Sequence, residues 1–292
     1  MPYTALFAGL TTIDIQYQVD LFPTTNIKIK SDPPDILVGG PSTNAAVAFA
    51  RLSGEAYLVS SVGRNSFNEI ISKDFEETNI VHIDLAGEEA INPVIATVVT
   101  SKNDGHRNIF THNPVSPQTN LDPKGLIRKY QPQILLLDGF YPEFCIELVR
   151  EASNRNMPVV LDCGSWKPQY EQMIPYSETA ICSADFIPPG CSNSADAIRY
   201  LRDLGVKNAA VSRGEESILF DCGKGLNELS VNKVEAIDTL GAGDFLHGAF
   251  CFYSLKYGNF EMALKAASQV ATHSCRFKGT REWLNSEFVM NL

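Results

Sequence analysis

Short runs that are apolar at almost every position alternate with helical stretches over residues 134 to 212. The runs are 134–137 (ILLL), 159–161 (VVL), 181–187 and 208–212, and helices are predicted over 142–154 and 195–204. A strand with no polar face must be covered on both sides. Such strands, joined through helices, pair in parallel with helices packed on each face of the sheet, through right-handed crossovers. The N-terminal part follows the same rule, with strands at 3–9 and 56–62 and helices at 42–53 and 66–78. Ala45, Ala46, Phe49, Ala50 and Leu52 give the first helix a small apolar face, and Gly54 ends it. Toward the C-terminus, strands are predicted at 218–220 and 233–237, then helices at 243–257 and 260–275 separated by Gly258-Asn259.

Two segments break the alternation. Residues 11–38 and 93–112 are strand-rich and contain no helix. In the second, strands at 93–100 and 107–112 flank Asn103-Asp104-Gly105, a hairpin signal. We read them as a small antiparallel sheet that projects over the strand ends as a lid. No linker-like stretch or repeat divides the 292 residues, so 1–292 reads as a single domain with the lid built in.

Charge and cysteine usage narrow the function. With 24 basic and 34 acidic side chains the net charge is −10. No basic run offsets it, which argues against nucleic-acid or anionic-membrane partners. A nucleotide stays open, since backbone N–H groups can hold a phosphate. The seven cysteines form no C-x-x-C and several sit in apolar runs, which predicts reduced thiols, no structural zinc and a cytoplasmic location. The five histidines make no H-E-x-x-H. Neither a signal peptide nor a membrane span is expected.

Ligands of open parallel sheets gather beyond the C-terminal strand ends, and polar groups recur there. Asp14 follows the first strand, Asp138 and Asp162 end strands, and Asp238 follows 233–237. Singly, Asp138 and Asp162 read as turn or helix caps; their repetition carries the signal. Gly39-Gly40-Pro41-Ser42-Thr43-Asn44 is a glycine turn entering a helix. It reads equally as a capped turn or as a site where a ligand meets the backbone and the Asn44 amide both donates and accepts. The stretch 238–250, DTLGAGDFLHGAF, places Gly241 and Gly243 at a helix start whose free N–H groups and dipole suit a phosphoryl group. Asp244, in the first turn, is placed to act as a base on an attacking hydroxyl, or as a capping acid. The P-loop, the G-x-G-x-x-G fingerprint and protein-kinase motifs are absent.

On these residues the chain resembles the PfkB, or ribokinase-like, carbohydrate kinases. DTLGAGD is similar to that family's C-terminal signature, Gly39-Gly40 through Asn44 to its N-terminal one, and Asp14 to its substrate aspartate. Ala96-Thr97-Val98-Val99, Gly105-His106-Arg107 and Ser268-Gln269-Val270-Ala271 before Cys275 lean the resemblance toward ketohexokinase. It implies a three-layer α/β/α fold with a mostly parallel sheet and a β lid. The activity it implies is ATP-dependent transfer of a γ-phosphoryl group to a primary hydroxyl of a small ketose or pentose. By the same resemblance Asp244 is the base and Gly241, Ala242 and Gly243 form the anion hole. Asp14, Gly39, Gly40, Asn44 and Arg107 bind sugar; Ser212, Gly214, Ala267, Ser268 and Ala271 border the nucleotide.

Mg²⁺ is implied as well, along with K⁺ near Asp238 and the 275–279 turn and a homodimer through the lid. Two features depart from the family. The N-x-x-E motif associated with Mg²⁺ is missing after Ala184-Asp185, leaving the metal ligands unassigned. Pro41 also stands where ketohexokinase has an asparagine, removing one amide from the sugar site. Two other readings stay open. One is a nucleoside kinase, with Tyr17, Phe22 or Phe110 as a platform for a base; the other is a non-catalytic sugar or nucleotide sensor.

Overall fold

A computed structural model describes residues 2–103 and 107–287. In chain order the strands are β1 (Thr4–Ala8), β2 (Thr12–Val19), β3 (Asp35–Gly39), β4 (Glu55–Ser60), β5 (Ile80–Asp84), β6 (Val94–Ser101), β7 (Arg107–Phe110), β8 (Ile134–Leu137), β9 (Val159–Cys163), β10 (Thr179–Ser183), β11 (Asn208–Ser212), β12 (Ile218–Asp221) and β13 (Asn227–Leu229). The helices are α1 (Pro41–Arg51), α2 (Asn68–Glu77), α3 (Pro123–Tyr130), α4 (Pro142–Asn154), α5 (Tyr170–Met173), α6 (Ser194–Asp203), α7 (Ala242–Tyr257) and α8 (Phe260–Ser274).

Nine strands form one sheet in the order β13-β12-β11-β10-β9-β8-β1-β4-β5. All pairs from β5 across to β11 are parallel, and β12 and β13 close one edge antiparallel. Alternate residues of each strand enter opposite cores. Ala5, Phe7, Ile134 and Leu136 pack with α1, α2, α7 and α8, whereas Leu6, Ala8, Leu135 and Leu137 pack with α3, α4, α5 and α6. This is the three-layer arrangement expected of strands without a polar face. Each Leu, Ile or Phe so buried contributes roughly 1.5–3 kcal/mol.

The chain runs outward from β1 to β4 and β5, then returns to β8 on the other side of β1. The crevice between the ends of β1 and β8 is therefore the switch point where an open sheet accepts ligands. Over it lies the second sheet, in the order β3-β2-β6-β7. Its outer pairs are antiparallel, as expected, but the central pair β2–β6 is parallel, with Asp14 opposite Ala96. The helices and core strands between β3 and β6 account for this, because the chain re-enters the lid from the sheet rather than through a hairpin. In the expected hairpin turn, Asp104 and Gly105 lie outside the described residues.

Three local readings change. Residues 233–237 form no strand; the third strand of that edge is β13. Lys233, Val234 and Ala236 line a cleft, and the end of the segment is held by Ile237 and Asp238 N–H groups donating to the Cys275 carbonyl at 2.8 and 3.2 Å. The run 181–187 is β10 only as far as Ser183. Edge strand β5 and helix α3 are additional; α3 starts on Pro123 behind an Asp122 cap that accepts from the Lys124 and Gly125 N–H groups. All seven cysteines are free thiols. Among the described residues no helix is long and apolar enough to cross a membrane.

Candidate active site

Gly40 has φ 102°, and a Cβ there would lie 2.2 Å from the Leu10 carbonyl oxygen. Only glycine lets the chain turn this close to the end of β1. Pro41 follows as the first residue of α1, where its missing N–H costs nothing. Asp138, just past β8, caps this helix from a distance. Its Oδ2 accepts from the Leu10 and Ser42 N–H groups at 2.8 and 3.2 Å, and Oδ1 from the Phe140 N–H at 3.1 Å. Asp138 is thus a cap, as a lone strand-end acid suggests, but of α1 rather than of the helix that follows it.

Asp14 lies within β2, on the lid, and is buried. Thr12 donates to its Oδ1 at 2.6 Å. A Cβ on Gly39 would come within 2.1 Å of its Oδ2, so the glycine leaves the carboxylate room over the turn. Burial raises its pKa, opposed by the Thr12 hydrogen bond and the Arg281 charge.

Asp244 lies on α7, next to Gly241, the left-handed N-cap of that helix (φ 75°). Asn44 donates from Nδ2 to Asp244 Oδ2 at 2.8 Å, across 200 residues of sequence. Gly248 brings them together: a Cβ on it would lie 1.9 Å from the Ala45 carbonyl oxygen, so α7 packs directly on the α1 backbone. Desolvation pushes the Asp244 pKa up to about 7. The negative charge of Asp162 adds to this, and the Asn44 hydrogen bond and His247 oppose it. Although part of Asp244 still reaches solvent, its apolar surroundings dominate this balance. Among the described residues the Gly241 and Gly243 N–H groups have no acceptor, whereas Ala242 N–H makes a long 3.3 Å bond to Thr239. Open space lies beside Gly243.

One turn further along α7 lies a pair that sequence patterns did not suggest. His247 is buried, with Nε2 3.0 Å from the Ile181 carbonyl oxygen and Nδ1 3.5 Å from Asp162 Oδ2. The carbonyl can only accept, so Nε2 carries a proton. Burial raises the Asp162 pKa and lowers that of His247.

Beside the 241–243 turn opens a cleft of about 770 Å³. Ser212, Gly214, Ser268, Ala271, Ala242, Gly243 and Arg107 line it. Arg107 therefore faces this cleft beside Thr239 and Cys275 rather than lying against Asp14. Ala267 is fully buried in the core where α8 packs on α7, and it does not line the cleft.

Neither implied cation has a ready protein cage. Among the described residues no group of three or more His, Cys, Asp or Glu could hold a metal. Mg²⁺ does not need one, since it keeps waters and binds substrate phosphates with one or two carboxylates; Asp185 on the cleft wall is such a group. At the implied K⁺ position the Asp238 carboxylate is hydrogen-bonded within the protein. Asp238 Oδ2 already accepts from Gln16 Nε2 and the Gly279 N–H at 3.0 and 2.9 Å, and Oδ1 from the Leu240 N–H at 2.9 Å. Asp238 shapes the loop.

A β lid, a base-like carboxylate and an open glycine turn facing a large cleft define a class, the small-molecule kinases of three-layer α/β fold. Residues 5–286 match the family model described as pfkB family carbohydrate kinase, and the chain belongs to that family. The ribokinase of Lactococcus lactis is 25% identical over 84% of this chain and 81% of its own length. Aminoimidazole riboside kinase of Salmonella typhimurium is 27% identical over 81% of this chain and 80% of its own. The structure of Arabidopsis thaliana ribokinase complexed with ribose and ATP superposes with a TM-score of 0.77 at 19% identity, covering 98% of this chain and all of that one.

Proposed function

We propose that the protein transfers the γ-phosphoryl group of ATP to a primary hydroxyl of a small sugar, with Asp244 as the general base. The Asn44–Asp244 hydrogen bond carries this reading, because it joins the two signature motifs at one point beside the 241–243 turn. Asp14 and Asn44 orient the sugar hydroxyls beneath the lid. Asp244 takes the proton of the attacking oxygen. The Gly241 and Gly243 amides stabilise charge on the migrating group, and Arg107 adds a positive charge from the lid side. ATP lies along the Ser212, Gly214, Ser268 and Ala271 wall. Asp185 on the cleft wall would help hold Mg²⁺ beside the phosphates, and the ion would supply charge neutralisation there. Lid closure keeps water from competing with the sugar.

The curated relatives include ribokinases, deoxyribokinases and an aminoimidazole riboside kinase, which supports a pentose first; the ketohexokinase-like lid residues keep ketoses in view. A riboside is the second reading. The likeness to aminoimidazole riboside kinase supports it, although Phe110, opposite Thr97 in the lid register, lies on the face away from Asp14 and gives a base no platform. The exposed Ile36, Ile109 and Phe110 on the lid support pairing of two copies through this sheet. The test is ADP release across pentoses, ketohexoses, polyols and ribosides with Mg-ATP. Release dependent on ribose or a ketose is expected. Dependence on ribosides alone would select the second reading, and no release with any acceptor would leave only a sensor.

A further inference from the structure

We infer that Arg281 is a positioning residue that locks the Asn44 amide in the one orientation able to serve Asp244; the inference rests on the kinase reading above. Arg281 lies in the turn after α8. Its Nε and Nη2 donate to Asp74 Oδ1 and Oδ2 on α2 at 2.8 and 3.0 Å. Nη2 also donates to the Val38 carbonyl on lid strand β3 at 3.0 Å. Nη1 donates to the Thr280 carbonyl and to Asn44 Oδ1, both at 3.0 Å.

A guanidinium has five N–H donors and no acceptor, and here all of them are engaged within the protein. Arg281 therefore has no donor to spare for a substrate anion. What it does is set the amide. An arginine can face only the oxygen of Asn44, so Nδ2 must point the other way, to Asp244 Oδ2 at 2.8 Å. Turning the amide over would set Nδ2 against the guanidinium and Oδ1 against the carboxylate, replacing two attractive contacts by two repulsive ones. The two-point Asp74 bond keeps the guanidinium from swinging aside, and both partners are mostly buried, with side chains 18% and 14% exposed. One side chain thus connects the lid strand next to Gly39, the sugar-facing helix α1 and the base.

Asp244 is faced by Asn44 from α1, Asp162 from β9, Asp14 from the lid and His247 from its own helix. Of these, Asn44 is the donor whose orientation Arg281 controls. The test compares wild type, Arg281→Met and Asp74→Asn/Arg281→Met, the double variant leaving no orphan buried charge. A ¹³C-carboxyl NMR titration of the ligand-free enzyme, assigned with Asp244→Asn, reads the base directly. The Asp244 midpoint is expected to rise by about one unit in both variants as the fixed donor is lost. With D-ribose as acceptor, KM is expected to rise about tenfold while KM for ATP holds. In an Asn44→Ala background, Arg281→Met should add less than about a twofold further loss in kcat/KM.

An unmoved Asp244 midpoint in both variants would overturn the inference. So would an equal loss with and without Asn44, which is what a merely structural Arg281 would give. If the wild type phosphorylates no ribose, the pentose reading fails while the NMR titration still decides the role of Arg281.

Discussion

The nine-stranded sheet and the four-stranded lid divide the site between two kinds of support. Strand β8 is buried at every position and carries a core on each face, whereas β7 is exposed at every described side chain. Asp244, the 241–243 turn and Asn44 belong to the doubly covered body, and Asp14 hangs from the lid. A parallel sheet between two helical layers holds a carboxylate and an amide to a fixed distance. A sheet covered on one face can move with its ligand. On the proposed function the contrast becomes a division of labour, in which the body would supply chemistry and the lid capture.

The most direct way to break that contrast is Asp244→Asn. Turnover should fall by about 10²–10⁴ while sugar affinity holds, read by steady-state kinetics and calorimetric sugar binding. In the wild type, kcat/KM should rise as the pH is raised through about 7, because only the ionised carboxylate accepts the proton. Stability moves the other way. The Asp244 pKa is raised in the fold above its ordinary 3.8, so ionisation opposes folding. That penalty is absent below both values and complete above about 7. Asp244→Asn should therefore raise Tm at pH 8 and leave it unchanged below pH ~4; a Tm that falls at pH 8 would contradict the assignment.

Gly248→Ala tests the rigidity of the body itself. With backbone 1.9 Å from the new methyl, α7 must move off α1, costing about 1–3 kcal/mol in chemical denaturation and lowering kcat by separating Asn44 from Asp244. Asp14→Asn addresses the lid. It should raise KM for sugar by about 10–100-fold, the worth of a hydrogen bond to a charged group, with kcat less affected. A larger effect on kcat than on KM would blur the division between body and lid. The smallest effect is expected from Phe110→Ser on the outer lid face. Stability should change by less than ~0.5 kcal/mol, while sedimentation should show the dimer weakened if two copies meet there.

Local patterns made much of this readable. The apolar runs at 134–137 and 208–212 and the helix at 142–154 match β8, β11 and α4 residue for residue, because two-sided burial writes apolar runs into the strands and one-sided burial writes a helical period into α4. Asn44, Asp244 and the glycines beside them could be singled out because tight turns and helix starts write themselves into adjacent residues, whereas Asp14, inside β2, was marked by its place after the first strand and by the family resemblance. The segment 233–237 misled, since its apolar residues suit a strand as well as the cleft wall they in fact help to form.

Tertiary contact alone decided the rest. Nothing near Arg281 or Asp74 in the chain marks them, and they meet from 207 residues apart. His247 and Asp162 pair only because α7 crosses under β9, and Gly248 looks like any helical glycine until Ala45 is set against it. The order of strands and helices, and the chemical types at the site, follow from short-range periodicity and turn geometry. The orientation of one amide and the raised pKa of one carboxylate follow from which distant groups the fold brings within a few ångströms, where desolvation and donor direction take effect.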